Sequence, residues 1–200
     1  MRTLTWMAAL ALLLPLSSYG CKAAPAADPL SQVDGRLILE NFPLEGIEGI
    51  DEQADTSQRI PGCAQVKSFD VYENNVPAQV IVALCSEGEF GPGAIDATMA
   101  GRVAQARATL AGMPAPVAAL MLAGVDPVEV PLAGGNHGKA LTIPAVGHGF
   151  VLLPLAYAVN ARKDATILIQ AFTNPNKPRN LNGPMATLLQ AVYKSLQDKG

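Results

Sequence analysis

The chain has 200 residues, half of them hydrophobic and 16% charged, with 17 acidic against 14 basic side chains and a formal net charge of -3. That balance fits one globular domain, argues against a disordered chain, and shows none of the basic clustering of a nucleic-acid binder. Eighteen glycines and sixteen prolines break the chain too often for a bundle of long helices, and 5% aromatic residues leave few stacking platforms for sugars or bases.

The first twenty residues have the layout of a secretory signal peptide. Met1-Arg2 is a short basic start, and Leu4 to Leu16 is an apolar core interrupted by Thr5 and Pro15. Ser17-Ser18-Tyr19-Gly20 is a small, polar exit before Cys21. The apolar core is shorter than the ~20 residues of a bilayer span. The junction Gly20-Cys21 resembles the lipobox of bacterial lipoproteins, in which a small residue precedes a cysteine that is acylated and becomes the new N-terminus. Tyr19 and Ser18 stand where that family usually has a small residue and a leucine. The resemblance implies lipidation at Cys21. With Lys22 rather than aspartate next, it also implies an outer-membrane lipoprotein facing the periplasm. Ordinary cleavage, giving a soluble periplasmic or secreted protein, is the alternative. Cysteine parity favours acylation, because spending Cys21 on lipid leaves Cys63 and Cys85 as an even pair in an oxidising compartment. Residues 21–33 read as lipidated N-terminus and tether, since Ala23 to Pro29 is small and proline-bearing. Residues 34–200 read as one domain.

Gly35 to Phe42 is a short strand candidate that Pro43 stops. Glu45 to Gln58 reads as an acidic surface loop. Its carboxylates, Glu45, Glu48, Asp51, Glu52 and Asp55, lack the alternation and glycine placement of a calcium loop and read as solvated. Ala64–Tyr72 and Ala78–Cys85 form a hairpin around Glu73-Asn74-Asn75. Its second strand is apolar on both faces, as in the middle of a covered sheet. Centring the turn on Asn74 sets Cys63 opposite Cys85, within disulfide reach.

Gly91-Pro92-Gly93 marks a break. Ile95, Met99, Val103, Ala106 and Leu110 then recur at the spacing of an amphipathic helix. Pro116 to Ala123 reads as a short apolar helix. Val128 to Leu132 reads as a brief edge strand, because Pro131 excludes a central one. Gly134-Gly-Asn-His-Gly-Lys139 has a passing likeness to a phosphate-cradling loop, which fails on three points. Ala133 replaces the first glycine, Ala140 replaces the metal-binding hydroxyl, and Leu141-Thr-Ile-Pro is strand-like where a helix is required. Phe150–Val159 and Thr166–Thr173 form a long hairpin around the polar knot Asn160–Asp164. A turn centred between Arg162 and Lys163 sets Tyr157 opposite Leu168 and Val159 opposite Thr166. Met185, Leu188, Leu189, Val192 and Leu196 form the apolar stripe of a terminal helix, with Asn182 as its cap. The expected class is α+β: a mostly antiparallel sheet built from two hairpins, with an amphipathic helix after the first and a C-terminal helix packed on the sheet.

No catalytic set is assigned. The chain has two histidines, His137 and His148, and a catalytic zinc site needs three protein ligands. No nucleophile elbow is present, and no histidine pair brackets a glutamate. Glu87 and Glu89 would share a face on an extended segment beside two glycines. No metal or cofactor is assigned either. Lys177 and Arg179, spaced by prolines beside the long hairpin, join His137 and His148 as candidate ligand- or partner-binding residues. The expected function is a non-enzymatic binding or accessory module of the cell envelope, reaching the membrane through Cys21 and taking a protein or small ligand as partner. The alternatives are a periplasmic hydrolase built on His137, His148 or Glu87 and Glu89, and an inhibitor or immunity protein for an envelope enzyme.

Overall fold

The computed structural model describes residues 28–42, 47–53, 60–73, 76–147, 149–162, 164–172 and 180–197. Cys21, His148, Lys177 and Arg179 lie outside the described residues, as does the leader.

Seven strands form one antiparallel sheet: β1 (Ile47–Glu52), β2 (Cys63–Glu73), β3 (Val76–Cys85), β4 (Val128–Pro131), β5 (His137–Gly147), β6 (Gly149–Arg162) and β7 (Ala165–Phe172). Their order is β1-β2-β3-β7-β6-β5-β4. Two meanders, β1 to β3 and β4 to β7, therefore join where β3 pairs with β7. Among the described residues four α-helices accompany the sheet: α1 (Gly35–Asn41), α2 (Ile95–Leu110), α3 (Ala115–Leu122) and α4 (Asn182–Gln197). The fold is α+β, and the C-terminal helix packs on the sheet. The sheet is larger than two hairpins, because β1 on one side and β4 and β5 on the other extend it.

Strand alternation sorts the core into two layers. Val80, Val82 and Leu84 of β3 and Ile167 and Ile169 of β7 face α4, whose Met185, Leu188, Leu189, Val192 and Leu196 are buried against them. Ala83 and Cys85 of β3, Leu168 of β7 and Leu141 of β5 face the other way, toward Phe90 ahead of α2 and toward Ile95 and Met99 in its first two turns. That double coverage is why β3 and β7 are apolar on both faces. Gly138 brings α4 close, since an added Cβ would lie 2.5 Å from Leu189 Cδ2 and 2.8 Å from Tyr157 O.

The prolines inside β5 and β6 each sit where a ladder ends. Pro144 lies beyond Ala140, the last residue of β5 that β4 pairs. Pro154 lies beyond Leu155, where the pairing of β6 with β7 stops. Their missing N–H groups therefore leave no gap in the sheet.

The structure departs from the sequence reading in several places. Gly35–Asn41 is a helix and not a strand. Asp34 caps it by accepting from Leu37 N at 2.8 Å, and Ile38 and Phe42 bury one face four residues apart. The stretch read as an acidic loop contains β1, an edge strand. The folded unit starts before residue 34: a short 3-10 turn at Pro29–Gln32 carries Leu30 into the core, with Val33 buried after it. Asn182 does not cap α4. It lies inside the helix, where Asn180 Oδ1 accepts from its N–H at 2.9 Å. Its buried side chain instead accepts from Thr142 Oγ1 at 2.8 Å and donates to Gly124 O at 2.9 Å. In the long hairpin Tyr157 does face Leu168, but the register shifts between Ala158 and Arg162, and Arg162 pairs with Ala165. The turn thus lies between Arg162 and Ala165, with Asp164 at a φ of 60°.

Candidate functional site

The best-defined polar cluster joins α2 to the sheet. The Gly91–Gly93 break delivers the chain to α2, and Asp96 sits in its first turn, where the helix dipole favours a negative charge. Asp96 Oδ1 accepts from Lys139 Nζ at 2.7 Å and from Tyr157 OH at 2.9 Å. Lys139 and Tyr157 are direct cross-strand partners on β5 and β6. One carboxylate oxygen therefore ties three elements together.

The electrostatics of this cluster suit a clamp. Tyr157 is only 2% exposed. Burial, and then the hydrogen bond to Asp96, push its phenol well above the ordinary tyrosine range. The hydrogen bond from Lys139 lowers the Asp96 pKa, against some opposing desolvation. The phenol stays protonated and the carboxylate stays ionised across the neutral range. Neither group is poised to exchange a proton at neutral pH, as an acid–base catalyst must.

The sequence-selected residues do not converge on that cluster. His137 is exposed at the start of β5, opposite Pro131 of β4. Its neighbour Asn136 ties this loop to α4 by donating to Tyr193 OH at 2.8 Å and to Ala133 O at 3.2 Å. Glu87 is exposed, and Glu89 accepts from Arg102 Nη2 at 2.8 Å. The Arg102 guanidinium also lies 5.0 Å from the centre of the Phe90 ring, a cation–π distance. The loop of Glu87 and Glu89 is thus fastened to α2. Among the described residues no three His, Cys, Asp or Glu side chains come together as a metal site. Nor is any described helix long and apolar enough to cross a membrane.

Two shallow grooves flank the sheet. One, of about 440 Å³, lies between α1 and α4 and is lined by Leu37, Asn41, Thr187, Gln190 and Lys194. The other, of about 310 Å³, lies between α2 and the ends of β5 and β6, with Arg102 and Thr109 above Ile143, Pro144 and Leu153. Sequence reasoning missed the Asp96 clamp because it placed Lys139 in a loop. The one available signal was the alternation that sets Lys139, Leu141 and Ile143 on a single face.

Compared with known proteins, the chain matches no family model, no curated protein and no solved structure. What the fold and its chemistry define is a class: a disulfide-stapled α+β sheet domain, covered on both faces and clamped by a static carboxylate–lysine–phenol cluster.

Proposed function

We propose that the protein is an exported envelope lipoprotein, anchored through Cys21, that serves as a binding or accessory module. The observation that carries this reading is the Cys63–Cys85 disulfide. Structural disulfides persist in oxidising compartments. The bond also uses the even pair of cysteines and leaves Cys21, at the lipobox-like junction, as the odd one. Binding is favoured over catalysis because the principal titratable cluster holds its protons fixed. In this reading the β2–β3 and β6–β7 hairpins are the frame of the sheet, to which β1, β4 and β5 are added.

The segment proposed to meet the partner is the proline-spaced stretch that carries Lys177 and Arg179; the exposed His137 starts β5, at the opposite end of that strand from Gly147, and is left out of it. The cationic character of the stretch suits an acidic patch on an envelope protein. Cross-linking in intact envelopes tests this. Lys177→Glu with Arg179→Glu should lose the wild-type cross-links while the melting temperature is kept. Cross-links unchanged in yield and partner would contradict the assignment.

A further inference from the structure

The α2-side face of β1, β2 and β3 carries a second polar set, away from Asp96. Asp51 and Asp70 are directly opposed partners across β1 and β2, so their carboxylates rise from the same face. Like charges set opposite each other weaken strand pairing. The nearest cation in sequence, Lys67, points to the other face, where it pairs with Glu52 at 2.9 Å and donates to Val33 O at 2.9 Å. Among the described residues no lysine or arginine shares this face of the three strands. Two amides approach instead: Gln53 Nε2 lies 2.6 Å from Asp70 Oδ2, and Gln79 Nε2 lies 3.4 Å from Asp70 Oδ1.

A separate observation concerns Ser68. It is only 3% exposed, and its Oγ is buried without a hydrogen-bond partner. It stands two residues before Asp70 in β2, on the same face. Gln53 lies beside it, its N–H donating to Ser68 O at 2.9 Å. A buried hydroxyl left unpaired is costly, and in a native structure it calls for an explanation.

We propose that Asp51, Asp70 and Ser68, with the amide oxygen of Gln53, form a calcium site on this sheet face. Every candidate donor is oxygen, the ligand type a hard cation takes. Two carboxylates supply the charge, and the cation relieves their repulsion. Ser68 Oγ gains the partner it lacks. Turning the Gln53 amide over presents its oxygen in place of its NH2, and the hydrogen bond to Asp70 given up in the turn is replaced by the bonds of both groups to the cation. Calcium accepts six to eight oxygens in irregular arrangements, with water completing the shell, whereas magnesium demands a near-ideal octahedron that a sheet face does not offer. With two carboxylates, the affinity falls in the range of about 10^-4 to 10^-3 M found for extracellular modules. Asp51, read from sequence as a solvated loop carboxylate, is thereby given a role by its place in β1.

The test is thermal melting of the chelator-treated protein, titrated with CaCl2 up to about 10 mM at ionic strength held constant with NaCl. The melting temperature should rise saturably. Asp51→Asn, an exposed substitution, should fold, match or exceed the metal-free wild type in stability, and lose the calcium response. Ser68→Ala should fold and weaken that response several-fold. A wild-type melting temperature that calcium does not move would overturn the proposal. So would a rise that persists undiminished in Asp51→Asn.

Discussion

Cys63 and Cys85 face each other because β2 carries one extra residue beside them. From Glu73–Val76 to Gln65–Leu84 the ladder runs in a register that would set Ala64, not Cys63, opposite Cys85. A shift between Cys63 and Gln65 corrects it, and the disulfide closes there. Such a bulge adds one residue to one strand and re-aims its neighbours. The bond closes a loop with a sequence separation of 22, worth about 3 kcal/mol in the chain-entropy account. Replacing both cysteines by serine should lower the melting temperature by about 10 °C. Thiol titration of the denatured, unreduced mature protein should find neither Cys63 nor Cys85 reactive. Two reactive thiols from this pair would refute the bond.

The corner beside the disulfide depends on Gly62. Its φ is +81°, and an added Cβ would run into Glu87 O. Its carbonyl accepts from Ser86 N at 3.1 Å and Glu87 N at 3.2 Å, so strain and collision fall on one hydrogen-bonded corner. Gly62→Ala should destabilise the fold by about 2 kcal/mol or more, seen as a lower urea midpoint with an unchanged slope. A variant as stable as wild type would mean that the corner does not hold this geometry.

The Asp96 clamp makes stability depend on pH at both extremes. Asp96 is lowered in the folded state, so its contribution is present above the unfolded value of about 3.9 and is lost as pH falls through the folded value. Tyr157 is raised, so its contribution is complete below the unfolded value of about 10 and is lost as pH climbs toward the folded value. Between these limits the pair adds no slope. Melting curves across pH should show Asp96→Asn with a weaker acid dependence and Tyr157→Phe with a weaker alkaline one. Dependences identical to wild type in both variants would remove the clamp from the account.

What the sequence made legible was burial. Ala78–Cys85 and Thr166–Phe172, apolar on both faces, are β3 and β7 at the junction of the two meanders. Less legible were elements governed by a few polar atoms. Gly35–Asn41 looks like a strand by composition, and one Asp34 cap with an Ile38–Phe42 spacing makes it a helix. β1 shows no apolar alternation because Glu52, on the same face as the inward-packing Ile50, is ion-paired to Lys67, and because the register shifts between Ile47 and Gly49. Centring the β2–β3 turn on Asn74 misplaces the register by one, since the ladder starts with Glu73 opposite Val76, and nothing local announced the bulge that brings the cysteines together. The Asp96–Lys139 bond spans 43 residues and exists only once α2 lies on β5. No periodicity encodes such a contact.

The central claim is export with a lipid anchor at Cys21, and the intact mass of the mature protein tests it most directly. The mass should correspond to a chain beginning at Cys21, two hydrogens light for the Cys63–Cys85 bond, and carrying a diacylglyceryl group with or without a third acyl chain. An unmodified chain that retains Met1, or one that begins elsewhere with a free cysteine, would contradict the anchor.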